Sequence, residues 1–299
     1  MNPYVELARP LNAAIAAFSA LLGALVVLGS DLLDMAYLAP VALGMAVAFL
    51  VTAGGNALND YMDADVDKAA HPARPIPSGR LAPKQVLWFA IGCLVAAQPL
   101  AGAVVSIGSS GAVLSLDHPG LFPLLVELLA LGCLFAYELF LKAKGLSGNL
   151  MVSLLSALTL LFGAACVVGP SDPGLRTVGV LFALAFFASA GREVTKDIED
   201  VEADRGARIT LPMTAGRGRA SSVAAALVIV AVALSPVPFW PLGAMGWPYV
   251  AVVLAADVVF LYSLMILPSS PGRAQRVHKA GMMLALLAFL AGSVAGGFV

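Results

Sequence analysis

The sequence predicts an all-α, polytopic membrane protein of nine transmembrane helices, and three observations predict it. Of 299 residues, 60% are hydrophobic and 12% charged, against about 25% charged in a soluble domain, and the mean hydropathy is +0.93. The apolar residues come in runs of about 20, the length a helix needs to cross the hydrocarbon of a bilayer. The basic residues fall almost wholly in alternate loops, as the positive-inside bias requires. No long polar stretch remains for a soluble domain, so a soluble enzyme is excluded. The chain reads as one transmembrane domain over residues 1–299.

Taken in order, the first span, 12–29, follows Glu6 and Arg9 and reaches full length without a clear cleavage site. It reads as a retained helix rather than a signal peptide. The second, 36–58, runs into an acidic, proline-containing loop over 59–85. The third and fourth, 86–105 and 120–141, bracket a weakly polar connection, and the fourth ends at YELFLKAKGLSGN. The fifth and sixth, 149–169 and 175–191, are joined by a short turn, and a second charged loop, 192–219, follows. The seventh, eighth and ninth, 220–234, 248–266 and 279–299, complete the count. Trp88, Trp240 and Trp247 lie near span ends, where indole rings anchor helices at the interface.

This count sorts the charges. Arg9, then Lys68, Arg74, Arg80 and Lys84, then Lys142 and Lys144, then the six basic residues of 192–219, then Arg273, Arg276 and Lys279 share one face. Only Arg176 falls on the other. An odd number of spans with a cytoplasmic N-terminus follows, because a wrong count in the middle would scramble the asymmetry. A formal net charge of -1 carries no signal for nucleic acid, which needs clustered excess cations. Cys93, Cys133 and Cys166 share no short spacing and lie in apolar runs, so neither a disulfide framework nor a zinc site is expected.

The carboxylates are concentrated at the same face. Four acids fall within 60–67 and six within 193–204. Both clusters carry D-x-x-D-x-x-x-D: Asp60, Asp63 and Asp67, and again Asp197, Asp200 and Asp204. Continued as helix, positions i, i+3 and i+7 share one side, and Asn59 joins the first set. Three converging carboxylates repel one another unless a cation sits among them. Hard oxygen donors suit Mg2+, which takes one or two carboxylates together with substrate phosphate oxygens. Cations are interleaved: Lys68, Arg74 and Arg80 beside the first cluster, and Arg192, Lys196, Arg205 and Arg208 around the second. The alternative is a pair of solvated charge runs, but a repeated spacing on one membrane face argues against it.

These residues carry a resemblance. The stretch 56–80, NALNDYMDADVDKAAHPARPIPSGR, resembles the first signature of the UbiA superfamily of intramembrane prenyltransferases, N-D-x-x-D-x-x-x-D followed by R-P-x-x-S-G. The stretch 192–212, REVTKDIEDVEADRGARITLP, is similar to its second signature, with wording nearest the archaeal-type digeranylgeranylglyceryl phosphate synthases. Tyr137, Lys142, Gly148, Asn149 and the N-terminal ELARPLN add to the match. Ala203 stands where that branch more often has Gly, and RGARITLP where a Lys-Thr pair is usual.

The resemblance implies helices around a central cavity, capped on the cytoplasmic side by the two long loops. It implies metal sites of Asn59, Asp60, Asp63 and Asp67, and of Asp197, Asp200 and Asp204, holding Mg2+ against the diphosphate of an isoprenyl donor. Arg74, Arg80, Lys142, Lys196 and Arg208 are then expected to bind phosphate, and Tyr137 to contact substrate. In the lipid branch the donor is geranylgeranyl diphosphate and the acceptor the hydroxyl of geranylgeranylglyceryl phosphate, giving an ether. The expected partners are therefore that donor, a lipid-like acceptor and the bilayer, without nucleic acid or an obligate protein partner. An aromatic or tetrapyrrole acceptor is the alternative within the superfamily, and a cation-coupled transporter the more distant one. Of the intramembrane acids, Glu138 is close enough in sequence to Tyr137 to reach the site, while Glu127 and Asp257 read as functional or as paired structural groups.

Overall fold

The computed structural model describes residues 2–108, 118–202 and 208–295, with residues 69 and 70 described by backbone alone. Asp204 and Arg205, both singled out above, lie outside the described residues. Two short helices, α1 (Pro3–Ala8) and α4 (Ala64–Ala70), accompany α2 (Pro10–Leu28), α3 (Met35–Met62), α5 (Pro83–Gly108) and α6 (Phe122–Ala136). The second half contains α7 (Leu146–Ala165), α8 (Leu175–Glu199), the short α9 (Leu211–Ala215), α10 (Arg217–Leu234), α11 (Trp247–Ile266) and α12 (Pro271–Ala295). Among the described residues, nine helices are long and apolar enough to cross a membrane, and they coincide with the nine expected spans. Trp88, Trp240 and Trp247 are exposed, as interfacial anchors would be.

Most boundaries shift by a few residues from those read from hydropathy, and three of the shifts matter for the site. Span two continues to Met62, span six to Glu199, and span nine begins at Pro271. Polar residues in these turns end the apolar signal without ending the helix: Glu, Lys, Arg and Ala in the turns of spans six and nine favour helix, and in span two Asp63 N still donates to Asn59 O. The added turns project the chemistry-bearing side chains beyond the apolar layer.

Local sequence explains the breaks. The Asn2 side chain accepts from Tyr4 N at 2.9 Å and caps α1. Arg9 separates α1 from α2 at φ 45, the one non-glycine residue with positive φ among those described. Pro10 follows it and disfavours the right-handed helical conformation at Arg9. Asp34 caps α3 by accepting from Ala36 N at 3.0 Å. After α6, residues Tyr137–Leu141 form a π turn, closed by Lys142 N donating to Tyr137 O at 2.9 Å.

The two ends of the bundle meet where α2 crosses α7. A Cβ at Gly23 would lie 1.9 Å from Leu160 O, and one at Gly163 would lie 1.8 Å from Ala20 O. Each helix backbone thus occupies the space a side chain on the other would need. This is the close approach that small residues permit between membrane helices. One buried cluster lies to either side of this crossing, around Val47, Leu158 and Phe162 and around Leu181, Tyr249 and Phe289.

Candidate active site

A cavity of about 940 Å3 opens among α2, α3, α6, α7, α8, α11 and α12. Its lining changes character along its length. At one end stand Asn59, Asp63, Asp67, Arg74, Tyr137, Lys142, Arg192, Glu193, Lys196, Asp200 and Arg208, and towards the other end mostly Val, Leu, Ala and Phe. A charged head on an apolar body is the shape of a site for an amphiphile.

The first acidic cluster sits where α3 gives way to α4. Asp63 forms the joint at φ -91 and ψ 8, and Asp63 N and Asp67 N still donate to Asn59 O and Asp63 O. Asp67, 3% exposed, accepts from Arg74 at 2.6 Å. Asp60, 5% exposed, is bonded to Arg9 and lies 3.5 Å from Arg74. Lys142 bridges Asp63 and Glu138, 2.8 Å from each, and Asn59 donates to Glu138 at 2.9 Å.

The π turn explains Lys142. In a regular α-helix, residues five apart point in different directions, whereas one i to i+5 turn brings them to the same side. Tyr137, Glu138 and Lys142 therefore all line the cavity, with Lys142 Nζ 5.9 Å from the Tyr137 ring centre.

The second cluster lies on α8. Arg192, Glu193, Lys196 and Asp200 line the cavity, with Arg192 and Glu193 bonded to each other. Asp197 is 5% exposed, lies behind the lining and accepts from Asn149 at 2.7 Å. Asn149, on α7, faces the cavity. Ile209 N donates to Ala143 O, and a single bridge pairs Lys144 with Ile209, so the chain after the second cluster is tied to the chain after the π turn.

Three expectations change. Asp60 and Asp197 are set behind the cavity wall, where they hold Arg9, Arg74 and Asn149. Arg80 does not line the cavity; it forms a two-pronged pair with Glu6 at 2.7 and 3.0 Å. That bond to Arg80 lowers the Glu6 pKa, and its counterpart raises that of Arg80. Arg80 thereby fastens the 72–80 loop to α1. Among the described residues, no three Asp, Glu, His or Cys side chains form a ready-made metal cage. Like charges in a low-dielectric wall draw cations, and Arg9, Arg74 and Lys142 supply them. The donor set still fits Mg2+, which needs one or two carboxylates with phosphate and water oxygens: Asn59, Asp63, Asp67, Glu193 and Asp200 present hard oxygens to one space.

Glu138, expected within reach of the site, and Arg192, one of the cations expected around the second cluster, both stand in this head, and Arg9, Asn149 and Glu193 join it although the expected site residues did not include them. ELARPLN, YELFLKAKGLSGN and the start of REVTKD were the available signals. Which of their residues faces the cavity depends on the positive φ at Arg9 and on the π turn.

The model of the UbiA prenyltransferase family matches residues 16–290. The digeranylgeranylglyceryl phosphate synthase of Methanopyrus kandleri is 42% identical, over 97% of this chain and 99% of its own. A solved structure concerning digeranylgeranylglyceryl phosphate synthase in membranes aligns at a TM-score of 0.76 and 26% identity, covering 98% of each chain. A UbiA homolog from Archaeoglobus fulgidus, solved bound to DMAPP and Mg2+, aligns at a TM-score of 0.67 and 20% identity, covering 98% of this chain and 99% of its own. This chain, whose described residues include nine membrane-length helices and a cavity with a charged head, belongs to the UbiA prenyltransferase family.

Proposed function

We propose that this protein transfers the geranylgeranyl group of geranylgeranyl diphosphate to the hydroxyl of geranylgeranylglyceryl phosphate, forming an ether-linked lipid precursor and releasing diphosphate. The observation that carries the reading is the 42% identity to a digeranylgeranylglyceryl phosphate synthase over nearly the whole of both chains. The cavity supports it: about 940 Å3, at the top of the range for ligand sites, apolar along its body and charged at one end.

In this reading Mg2+ held by Asn59, Asp63 and Asp67 on one wall and Asp200 on the other neutralises the diphosphate as it leaves. Asp204 belongs to the same motif and lies outside the described residues. Arg74, Lys142, Lys196 and Arg208 contact phosphate oxygens, and Tyr137 bounds the reacting carbon. Asp60 and Asp197 aim Arg9, Arg74 and Asn149 from behind. Breaking the allylic carbon–oxygen bond leaves a resonance-stabilised cation that water would quench, so the apolar walls protect it. The acceptor hydroxyl oxygen then bonds to that carbon and gives up its proton. The whole chain acts as one membrane domain, with the N-terminus and the two long loops on the cytoplasmic side, where the loops cap the cavity.

The test uses purified protein in detergent with labelled geranylgeranyl diphosphate, Mg2+ or EDTA, and geranylgeranylglyceryl phosphate, 4-hydroxybenzoate or a chlorophyllide as acceptor. Metal-dependent transfer to the glyceryl phosphate is the expected result. Transfer only to the aromatic or tetrapyrrole acceptor overturns the substrate, and full turnover by Asp63→Asn and Asp200→Asn in limiting Mg2+ overturns the metal site.

A further inference from the structure

Helix α12 turns one face towards the cavity: Lys279, Met282, Met283, Leu286 and Phe289, which recur at the spacing of a single helix side. The first of these is charged and the rest are apolar. The depth of Lys279 is set by its neighbour, because His278 Nε2 donates to Ala188 O at 2.9 Å, and Ala188 lies one turn of α8 before Arg192. Lys279 therefore stands where the charged head gives way to the apolar body. Helix α12 packs against α2, α8 and α11, so this lysine reaches the cavity from a wall that carries neither acidic cluster.

Most cations of the head are held by carboxylates. Arg9 is bonded to Asp60, Arg74 to Asp67, Lys142 to Asp63 and Glu138, and Arg192 to Glu193. Lys196 and Lys279 also line the cavity, and neither is paired with a carboxylate among the described residues. Lys196 stands on α8 beside Asp200, within the second cluster, and already contacts phosphate in the proposed reaction. Lys279 has no task there. A lysine ammonium is a compact point charge on a flexible stem, well suited to a phosphate.

We infer that Lys279 binds the phosphate of the acceptor lipid, whose hydrocarbon tail lies along the apolar face of α12 beyond it. The inference rests on the proposed transfer to a glyceryl phosphate. That reaction brings two anions into one head. The diphosphate of the donor is matched by Mg2+ and the acidic clusters, whereas the phosphate monoester of the acceptor, with a charge of about −1.5 to −2 at pH 7, is repelled by the same carboxylates and needs a cation of its own. The carbon that carries this phosphate is bonded to the carbon that carries the reacting hydroxyl, so the phosphate must sit beside the reaction centre. The tail is apolar, so the phosphate must also sit at the border of the apolar body. Lys279 meets both conditions, and it makes the site favour the phosphorylated lipid over the same lipid without phosphate.

The test measures the Kd of geranylgeranylglyceryl phosphate, of geranylgeranylglycerol and, with Mg2+, of geranylgeranyl diphosphate, in one detergent, for wild type, Lys279→Gln, Lys279→Arg and Arg276→Gln. Arg276 is an exposed cation on the same helix that does not line the cavity. The expected result is that Lys279→Gln weakens binding of the glyceryl phosphate about tenfold or more, that Lys279→Arg restores most of it, and that the other two ligands bind as they do to wild type. Unchanged binding of the glyceryl phosphate by Lys279→Gln overturns the proposal. An equal loss for geranylgeranyl diphosphate overturns it too, because Lys279 then serves the donor. So does an equal loss in Arg276→Gln, because attraction of an anionic lipid to a cationic surface then explains the change. If wild type binds the glyceryl phosphate but transfers no prenyl group to it, the proposed function fails while the Kd series still decides this inference. If wild type does not bind it, both fall.

Discussion

Lys142 is the side chain on which most of the head converges. It is 2.8 Å from both Asp63 and Glu138, and Glu138 in turn receives Asn59. Removing the cation leaves two carboxylates facing each other, and breaking a buried pair from one side costs about 3–5 kcal/mol. Lys142 is 15% exposed, so the lower end applies. In its proposed role Lys142 also contacts the departing diphosphate, where loss of one such donor lowers turnover about 100-fold or more. Lys142→Met is therefore expected to melt several degrees lower and to lose at least two orders of magnitude in kcat; melting and turnover in the same detergent check both. Arg80 gives a contrasting case, since its partner is Glu6 and its role is to fasten a loop. The Glu6 pKa is depressed in the fold from its ordinary 4.5, so the stabilisation is present above that value and is lost as pH falls through the folded pKa. A Glu6→Gln protein is expected to melt below wild type at pH 7 and to match it once the pH falls below the depressed Glu6 pKa, with a small difference because the pair is exposed. Equal melting at both pH values would show that the pair contributes nothing.

The crossing of α2 and α7 is where helix packing is least forgiving. Each of Gly23 and Gly163 faces the other helix's backbone carbonyl at a distance no Cβ tolerates. Gly163→Ala must push the helices apart, which for overpacking costs about 1–3 kcal/mol. Gly92→Ala on α5, where a Cβ meets nothing within 4 Å, should be neutral or better because Ala favours helix. Thermal melts of the two variants check the contrast, and equal melts would refute it. The spans themselves were readable from the sequence because a membrane helix writes its length directly in hydropathy. The turns that carry the site were not. Residues 192–199 look like a loop by composition, yet α8 runs through them to Glu199. The π turn at Tyr137–Leu141 leaves no mark in YELFL, and without it Lys142 would point away from Tyr137. The repeated D-x-x-D-x-x-x-D located both walls of the cavity. The division of labour within it, with Asp60 and Asp197 behind and Asp63 and Asp200 in front, depends on where Arg9, Arg74 and Asn149 arrive from distant helices.

At the scale of the molecule, sidedness ties these parts together. The charged head stands at one end of the bundle, and the distribution of basic residues is the support for the proposal that this end faces the cytoplasm. The two arguments are independent: one rests on the cavity and the other on the loops between helices. Nine spans among the described residues put the two ends of the bundle's chain on opposite sides, with Lys84 in the first turn of α5 on the head side and Arg176 at the start of α8 on the other. Cys93 and Cys133 lie within apolar spans and Cys166 directly follows one; Cys133 and Cys166 are buried and Cys93 half-buried, so an aqueous thiol reagent should report mainly on introduced sites. Lys84→Cys is expected to react with a membrane-impermeant maleimide in inside-out vesicles and not in intact cells, and Arg176→Cys in the reverse pattern. Wild type in both preparations gives the background. The opposite pattern would move the head to the outer face, while labelling of both positions from one side would remove a span between them. The opposite pattern would leave the helices and their cavity as described and overturn the proposed orientation, whereas labelling of both from one side would overturn the span count itself.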